Sequence, residues 1–187
     1  FLAVAAAAEA QQAPVVSVAE EPAQKMMYGM DFERLWSWDT LKPAEKKRLA
    51  KAVVSDCRVQ YVRVAIRGAA EPKDGTFEPE AYSQILDMMA HLKAVRPDIA
   101  FFGSPRPINA ENWGDRHDLP YTCFPMWITE FTQVQKGKKT KWNNAAFHPE
   151  KAADYMIRYL RFMKSKGFTI TYLDLKNEVD RLVKPQQ

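Results

Sequence analysis

A strand–helix–strand alternation, repeated three times between residues 26 and 175, constrains this chain more than any other feature. Residues 26–32 form a short apolar run that turns polar at Asp31, and they predict a first strand. Thr40, Leu41, Lys42 and Pro43 open a helix through Ser55, with proline in the first turn and Leu49, Ala52 and Val53 as its apolar stripe. Residues 59–66, rich in β-branched side chains, predict the second strand. A second helix begins near Pro79 and runs to about Val95, burying Ile85, Leu86, Met89 and Leu92. Arg96, Pro97 and Asp98 stop it, and residues 99–103 predict the third strand. After a long excursion, Pro149 and Glu150 open a third helix carrying Tyr155, Met156, Tyr159, Leu160 and Met163. Gly167 ends it, and residues 168–175 predict the fourth strand.

Such a pattern builds parallel βαβ units joined by right-handed crossovers. The two architectures it allows are a doubly wound sheet and a (β/α)8 TIM-type barrel. A Gly-rich phosphate loop would favour the first, and neither G-x-G-x-x-G nor G-x-x-x-x-G-K-[ST] occurs. Gly137-Lys138-Lys139-Thr140 lacks the upstream glycine and a preceding strand, so it does not read as a P-loop. The fold class expected is therefore α/β, a barrel with the first four βα units present and a long insertion at about 104–148. A complete barrel needs about 250 residues, and this chain has 187. Either the chain continues in a longer protein or a partner chain supplies the remaining half of the barrel.

The N-terminus carries a different signal. Residues 1–10 read as the back half of a secretory signal peptide, with Ala8-Glu9-Ala10 as the cleavage site and Gln11 as the first mature residue. That leads to an expectation of a secreted or periplasmic protein. Residues 11–25, rich in Ala, Pro, Gln and Glu, read as a linker. No later segment approaches the roughly 18 apolar residues of a membrane span. Cys57 and Cys123 lack any CxxC spacing, which argues against a cysteine-built zinc site; a disulfide or two separate thiols both remain open. The formal charge of +4 is scattered, giving little support to nucleic-acid binding. No metal and no cofactor is expected.

In parallel α/β folds the working residues sit at the carboxyl ends of the strands. There the chain places Asp31, Arg67, Ser104 and the pair Asn177-Glu178, while Arg63 lies inside the second strand. Arg63 lies among Tyr61, Val62, Val64 and Ala65, so its charge needs a partner: a carboxylate in a barrel mouth, or a structural Asp at the sheet rim. Trp36, Trp113 and Trp127 fall in loops after strands one and three, as do Trp38, Tyr121 and Trp142. They either stack on pyranose rings or anchor those loops. His91, His117 and His148 are too widely spaced for a zinc motif. The lysine-rich stretches at 46–48 and 136–141 read as solvated surface charge.

Asn177-Glu178, placed directly after the fourth strand of a βα repeat, resembles the clan A glycoside hydrolases. Their fourth strand ends in Asn-Glu. The closest resemblance is to glycoside hydrolase family 30, through Ser104-Pro105 after strand three and Arg63 on strand two. Arg106 and Pro107 stand where that family's turn carries an aromatic, and Val179 follows Glu178 where proline is common. The resemblance implies a retaining hydrolase of β-linked glycans. Glu178 would be the general acid/base, Asn177 the ligand of the sugar 2-hydroxyl, and Arg63 the support of the nucleophile. The polysaccharide or oligosaccharide substrate would contact Ser104, Trp36, Trp113 and Trp127. Such an enzyme needs a second carboxylate about 5–5.5 Å from the first, and in the clan it comes from strand seven. The alternative is a non-catalytic carbohydrate-binding or assembly protein built on a half-barrel. Clan resemblance implies no cofactor.

Overall fold

The computed structural model of the chain describes residues 28–32, 38–106, 123–136 and 139–175. The signal-peptide and linker readings at 1–25 lie outside them. Four parallel strands form one sheet in the order β1-β2-β3-β6: β1 is Gly29–Asp31, β2 Tyr61–Arg67, β3 Ala100–Arg106 and β6 Tyr172–Leu173. A separate antiparallel hairpin pairs β4, Thr129–Lys136, with β5, Lys139–Phe147. Among the described residues the α-helices are α1, Pro43–Lys51, α2, Ser83–Val95, and α3, Pro149–Ser165. The result is a mixed α/β fold with a parallel sheet backed by helices, consistent with part of a TIM-barrel-like architecture.

The two faces of the sheet follow from the strand period of two. Val62, Val64 and Ile66 alternate on β2, and each is 0% exposed. Phe101 on β3 joins them against Ile85, Met88, Met89 and Leu92 of α2 and Tyr155, Tyr159 and Met163 of α3. Each such side chain contributes roughly 1.5–3 kcal/mol by leaving water. Gly103 on β3 makes room for the third helix, because a Cβ there would stand 3.2 Å from the Tyr159 ring and 3.1 Å from Ile170. Burial, with the Tyr82 ring beside it, holds the Tyr159 phenol well above its ordinary range.

Helix α3 begins with Pro149 in its first turn and stops in a Schellman motif. The Gly167 N–H donates to the Lys164 carbonyl (3.0 Å) and the Phe168 N–H to that of Met163 (2.9 Å), with Gly167 at φ +83°. Helix α1 differs from expectation by one residue. Leu49 is 37% exposed and Ala50 is buried, whereas Val53 is buried as expected, with Val54 beside it in a π-helical turn over Ala52–Asp56.

The third strand is longer than the 99–103 expected and runs through Ser104-Pro105 to Arg106. Proline is tolerated there for a geometric reason. Phe101 and Gly103 turn their carbonyls to the β6 side, accepting from Thr171 (2.8 Å) and Asp174 (2.9 Å). The missing N–H of Pro105 falls on that same side, beyond the last β6 partner at Gly103. The excursion expected at 104–148 therefore starts later, and it contains the β4–β5 hairpin. The fourth strand pairs over two residues only, although Phe168 and Ile170 pack on the core before it.

Candidate functional site

Register brings four polar residues to one face of the parallel sheet, opposite the helices. Asp31 is the Cα partner of Arg63, Arg63 of Phe102, and Phe102 of Tyr172. Two residues on, Ser104 and Asp174 point the same way as Phe102 and Tyr172. Arg63 Nη1 donates to Asp31 Oδ2 at 3.2 Å, and Nη2 donates to Ser104 Oγ at 2.6 Å. The Ser104 hydroxyl donates in turn to Asp174 Oδ2 at 3.0 Å, which itself stands 4.0 Å from Arg63 Nη2. The guanidinium lies 5.9 Å from the centre of the Phe102 ring.

One cation is thus held between two carboxylates contributed by the first and last strands of the sheet. Ser104 is fully buried, whereas Asp31 and Asp174 keep 52% and 29% of their side chains exposed. A guanidinium fixed in this way offers directed donors to a hydroxyl-rich or anionic ligand. Further along the same strands, Arg67 and Arg106 are also register partners. Arg67 donates its N–H to the Tyr82 hydroxyl (3.0 Å) and its Nη1 to the Ala81 carbonyl (2.9 Å), while Arg106 is buried.

The structure therefore joins Arg63 and Ser104, two of the residues singled out in the sequence, and answers the question of the arginine's partner with Asp31 and Asp174. Asp31 was visible as a strand-end acid. Asp174 was hidden inside a run read as strand, and it is the register of β3 and β6 that sets it beside Ser104.

Trp127 sits elsewhere. Its indole N–H donates to the Glu71 carbonyl at 2.8 Å, its ring meets Tyr155 edge-on at 6.3 Å, and the Arg158 guanidinium lies 5.6 Å from its centre. Arg158 Nη2 donates to Glu71 Oε1 (2.7 Å) and pairs with Asp74 Oδ1 (3.1 Å). Glu71, fully buried, also accepts from the Gly75 N–H at 2.8 Å. This cluster fastens the loop after β2 to the loop before β4 and to α3. Trp38 is likewise buried. Its indole N–H donates to Asp87 Oδ2 at 2.7 Å, a carboxylate also held by Lys46 at 2.7 Å. Burial would push the Asp87 carboxyl up, but hydrogen bonds from Lys46 and Trp38 and the charges of Lys46 and His91 together hold it below its ordinary 3.8.

Trp36, Trp113, Tyr121, His117, Asn177 and Glu178 lie outside the described residues, as does the side chain of Trp142. His148 precedes Pro149 at the start of α3, with Nε2 2.8 Å from Glu130 Oε1. Cys57 is exposed and Cys123 buried, and the two form no disulfide. Among the described residues, no group of three or more His, Cys, Asp or Glu side chains is placed to hold a metal ion. Nor is any helix among them long and apolar enough to cross a membrane.

Neither a protein-family model nor a curated protein sequence matches this chain. Solved structures do. An endo-β-1,6-glucanase, BT3312, is 18% identical with a TM-score of 0.57, covering 83% of this chain and 35% of its own. SrfJ from Salmonella typhimurium is 14% identical with a TM-score of 0.54, at the same coverage of both chains. The chain thus spans about a third of the length of these neighbours. At such identities the likeness is one of fold alone.

Proposed function

We propose that this chain is part of a retaining glycoside hydrolase acting on a β-linked glycan. The observation that supports the reading is the charged cluster around Arg63, which joins the ends of β1 and β6 across β2 and β3 on one face of a parallel sheet, in a fold similar to that of an endo-β-1,6-glucanase. Glu178, four residues beyond Asp174, is the general acid/base of this proposal, and Asn177 binds the 2-hydroxyl. Arg63 stabilises the ionised nucleophile, and Ser104 holds Arg63 in place. Trp36 and Trp113 line subsites. Protonation of the departing oxygen requires Glu178 to be neutral while the nucleophile is charged, and a neighbouring anion raises its pKa to that end. Family 30 is the proposed affiliation, and the remaining half of the barrel is the proposed structural partner.

The test is hydrolysis of aryl β-glycosides and of β-glucans, β-1,6-glucan among them, by the full-length protein and its Glu178→Gln variant. Turnover that collapses in the variant is expected. Turnover insensitive to the substitution removes Glu178 from the mechanism. Glycan binding without turnover favours the binding or assembly protein instead. Export is part of the same proposal, and N-terminal sequencing of the mature protein is expected to begin at Gln11.

A further inference from the structure

We propose that the outer face of α1 is a docking surface for an acidic polysaccharide, separate from the cluster around Arg63. Six basic and two acidic side chains lie between residues 42 and 58, a surplus of four that equals the surplus of the whole chain. The rest of the chain is therefore balanced, and the charge that reads as scattered along the sequence gathers on one short element. Lys46 does not belong to this face: it turns inward, with Nζ 2.7 Å from Asp87 Oδ2, and keeps only 16% of its side chain exposed. Lys47, Arg48 and Lys51 stand exposed on the helix, with Lys42 exposed ahead of it and Arg58 beyond the π-helical turn. Among the described residues, none of these five is paired with a carboxylate. Glu45, the one acid on α1, accepts from the Lys42 backbone N–H at 2.7 Å.

Helical geometry arranges the charges. Lys47 and Lys51 are one turn apart, about 5–6 Å between Cβ atoms, with Arg48 beside them, so among themselves they only repel. The other side of the element is fixed to the body. Ala50 is buried, Val53 and Val54 are buried in the turn that follows, and Lys46 holds Asp87 of α2. Packing on a side the cations do not use thus holds them in place. A polyanion laid along the helix relieves their repulsion and releases its own counterions. Because the helices back the sheet on the side away from Arg63, a chain bound to α1 leaves the polar cluster uncovered. No Phe, Trp or Tyr occurs between residues 39 and 60, so this face has no stacking platform of the kind that holds single-stranded nucleic acid. Leu49 is its one exposed large hydrophobic side chain, too little to bed a helix in a bilayer interface. The choice of a glycan among the remaining polyanions rests on the glycosidase reading, whereas the charge argument does not.

The test is titration of the full-length protein with polygalacturonate at about 50 and about 200 mM salt. A triple variant, Lys47→Gln, Arg48→Gln and Lys51→Gln, is titrated beside it, its fold checked by circular dichroism; glutamine keeps the helix propensity and removes the charge. The parent is expected to bind and to lose roughly tenfold in affinity across that range of salt. The variant is expected to bind roughly tenfold more weakly at the lower salt, with a shallower salt dependence. A parent that does not bind, or whose affinity ignores salt, overturns the proposal, and so does a folded variant that binds like the parent. Tighter binding of the parent to duplex DNA or to phosphatidylglycerol vesicles at equal salt also overturns it and gives the face to that partner. Hydrolysis assays separate this proposal from the glycosidase reading. A protein that hydrolyses β-glucan but does not hold polygalacturonate keeps the glycosidase reading and loses the docking surface. One that binds through α1 and hydrolyses nothing does the reverse.

Discussion

Two arginines in this chain stand between pairs of carboxylates, and they do different work. Arg158 reaches from α3 to Glu71 and Asp74, with Trp127 against its face and Glu71 shut off from water. Arg63 reaches across the parallel strands to Asp31 and Asp174 on a face where both acids remain partly wet. The chemical groups are the same and the surroundings are not. Where solvent is excluded, breaking a pair strands a charge; where it is admitted, water takes the partner's place. The first cluster is therefore a fastening and the second is available for chemistry.

Arg158→Met should break the comparison most sharply, because it leaves the Glu71 carboxylate buried without its cation. A loss of about 3–5 kcal/mol is expected in denaturant unfolding. A loss under about 1 kcal/mol would place the Glu71 cluster in the same class as the Arg63 cluster. Gly167→Ala tests whether the fastening depends on how α3 ends. An alanine at φ +83° should cost about 1–2 kcal/mol without altering the ion pair. A change indistinguishable from zero would mean that the Schellman turn relaxes freely.

Arg63→Met should do the opposite of Arg158→Met. Stability should fall by no more than about 1 kcal/mol, while turnover of a β-glycan substrate is abolished. Loss of several kcal/mol with the fold collapsing would make Arg63 a second fastening. The smallest effect concerns Asp87, 40% exposed and held by Lys46 and Trp38. Its folded pKa is depressed, so its contribution is complete above the unfolded value and disappears as pH falls through the folded one. Asp87→Asn should be less stable at pH 7 by under about 1 kcal/mol after solvent screening. The gap should close below about pH 4. A gap that persists at pH 2 would assign the effect to packing of Trp38.

The contrast also separates what can be read along a chain from what cannot. Periodicity and residue type marked strands at 59–66 and 99–103 and helices from Pro79 to about Val95 and from Pro149 to about Lys166, which overlap the observed Tyr61–Arg67, Ala100–Arg106, Ser83–Val95 and Pro149–Ser165. On α1 periodicity placed Val53 correctly but not Leu49, which is exposed while Ala50 is buried ahead of the π-helical turn at Ala52–Asp56. It passed over the β4–β5 hairpin, whose second strand, Lys139–Phe147, carries lysines and asparagines in place of an apolar alternation. At the site, Ser104 stood out by its place after the third expected strand and Arg63 as a charge inside an apolar one. Their partners Asp31 and Asp174 lie 32 and 70 residues away along the chain and are chosen by register. Trp127 shows the same limit. Its aromatic character was plain, but its place is decided by the Glu71 carbonyl, 56 residues earlier.

The register that joins Asp31, Arg63, Ser104 and Asp174 also governs which changes of chain length this protein can absorb. A codon gained or lost in the loops before α1 or between β3 and β4 leaves every strand in phase. A codon lost between Tyr61 and Arg63 reverses the alternation ahead of it. Arg63 would then be driven into the place of the buried Val62, and Val64 would stand opposite Phe102. Length polymorphism among natural variants should accordingly collect in the connections and spare the seven residues of β2.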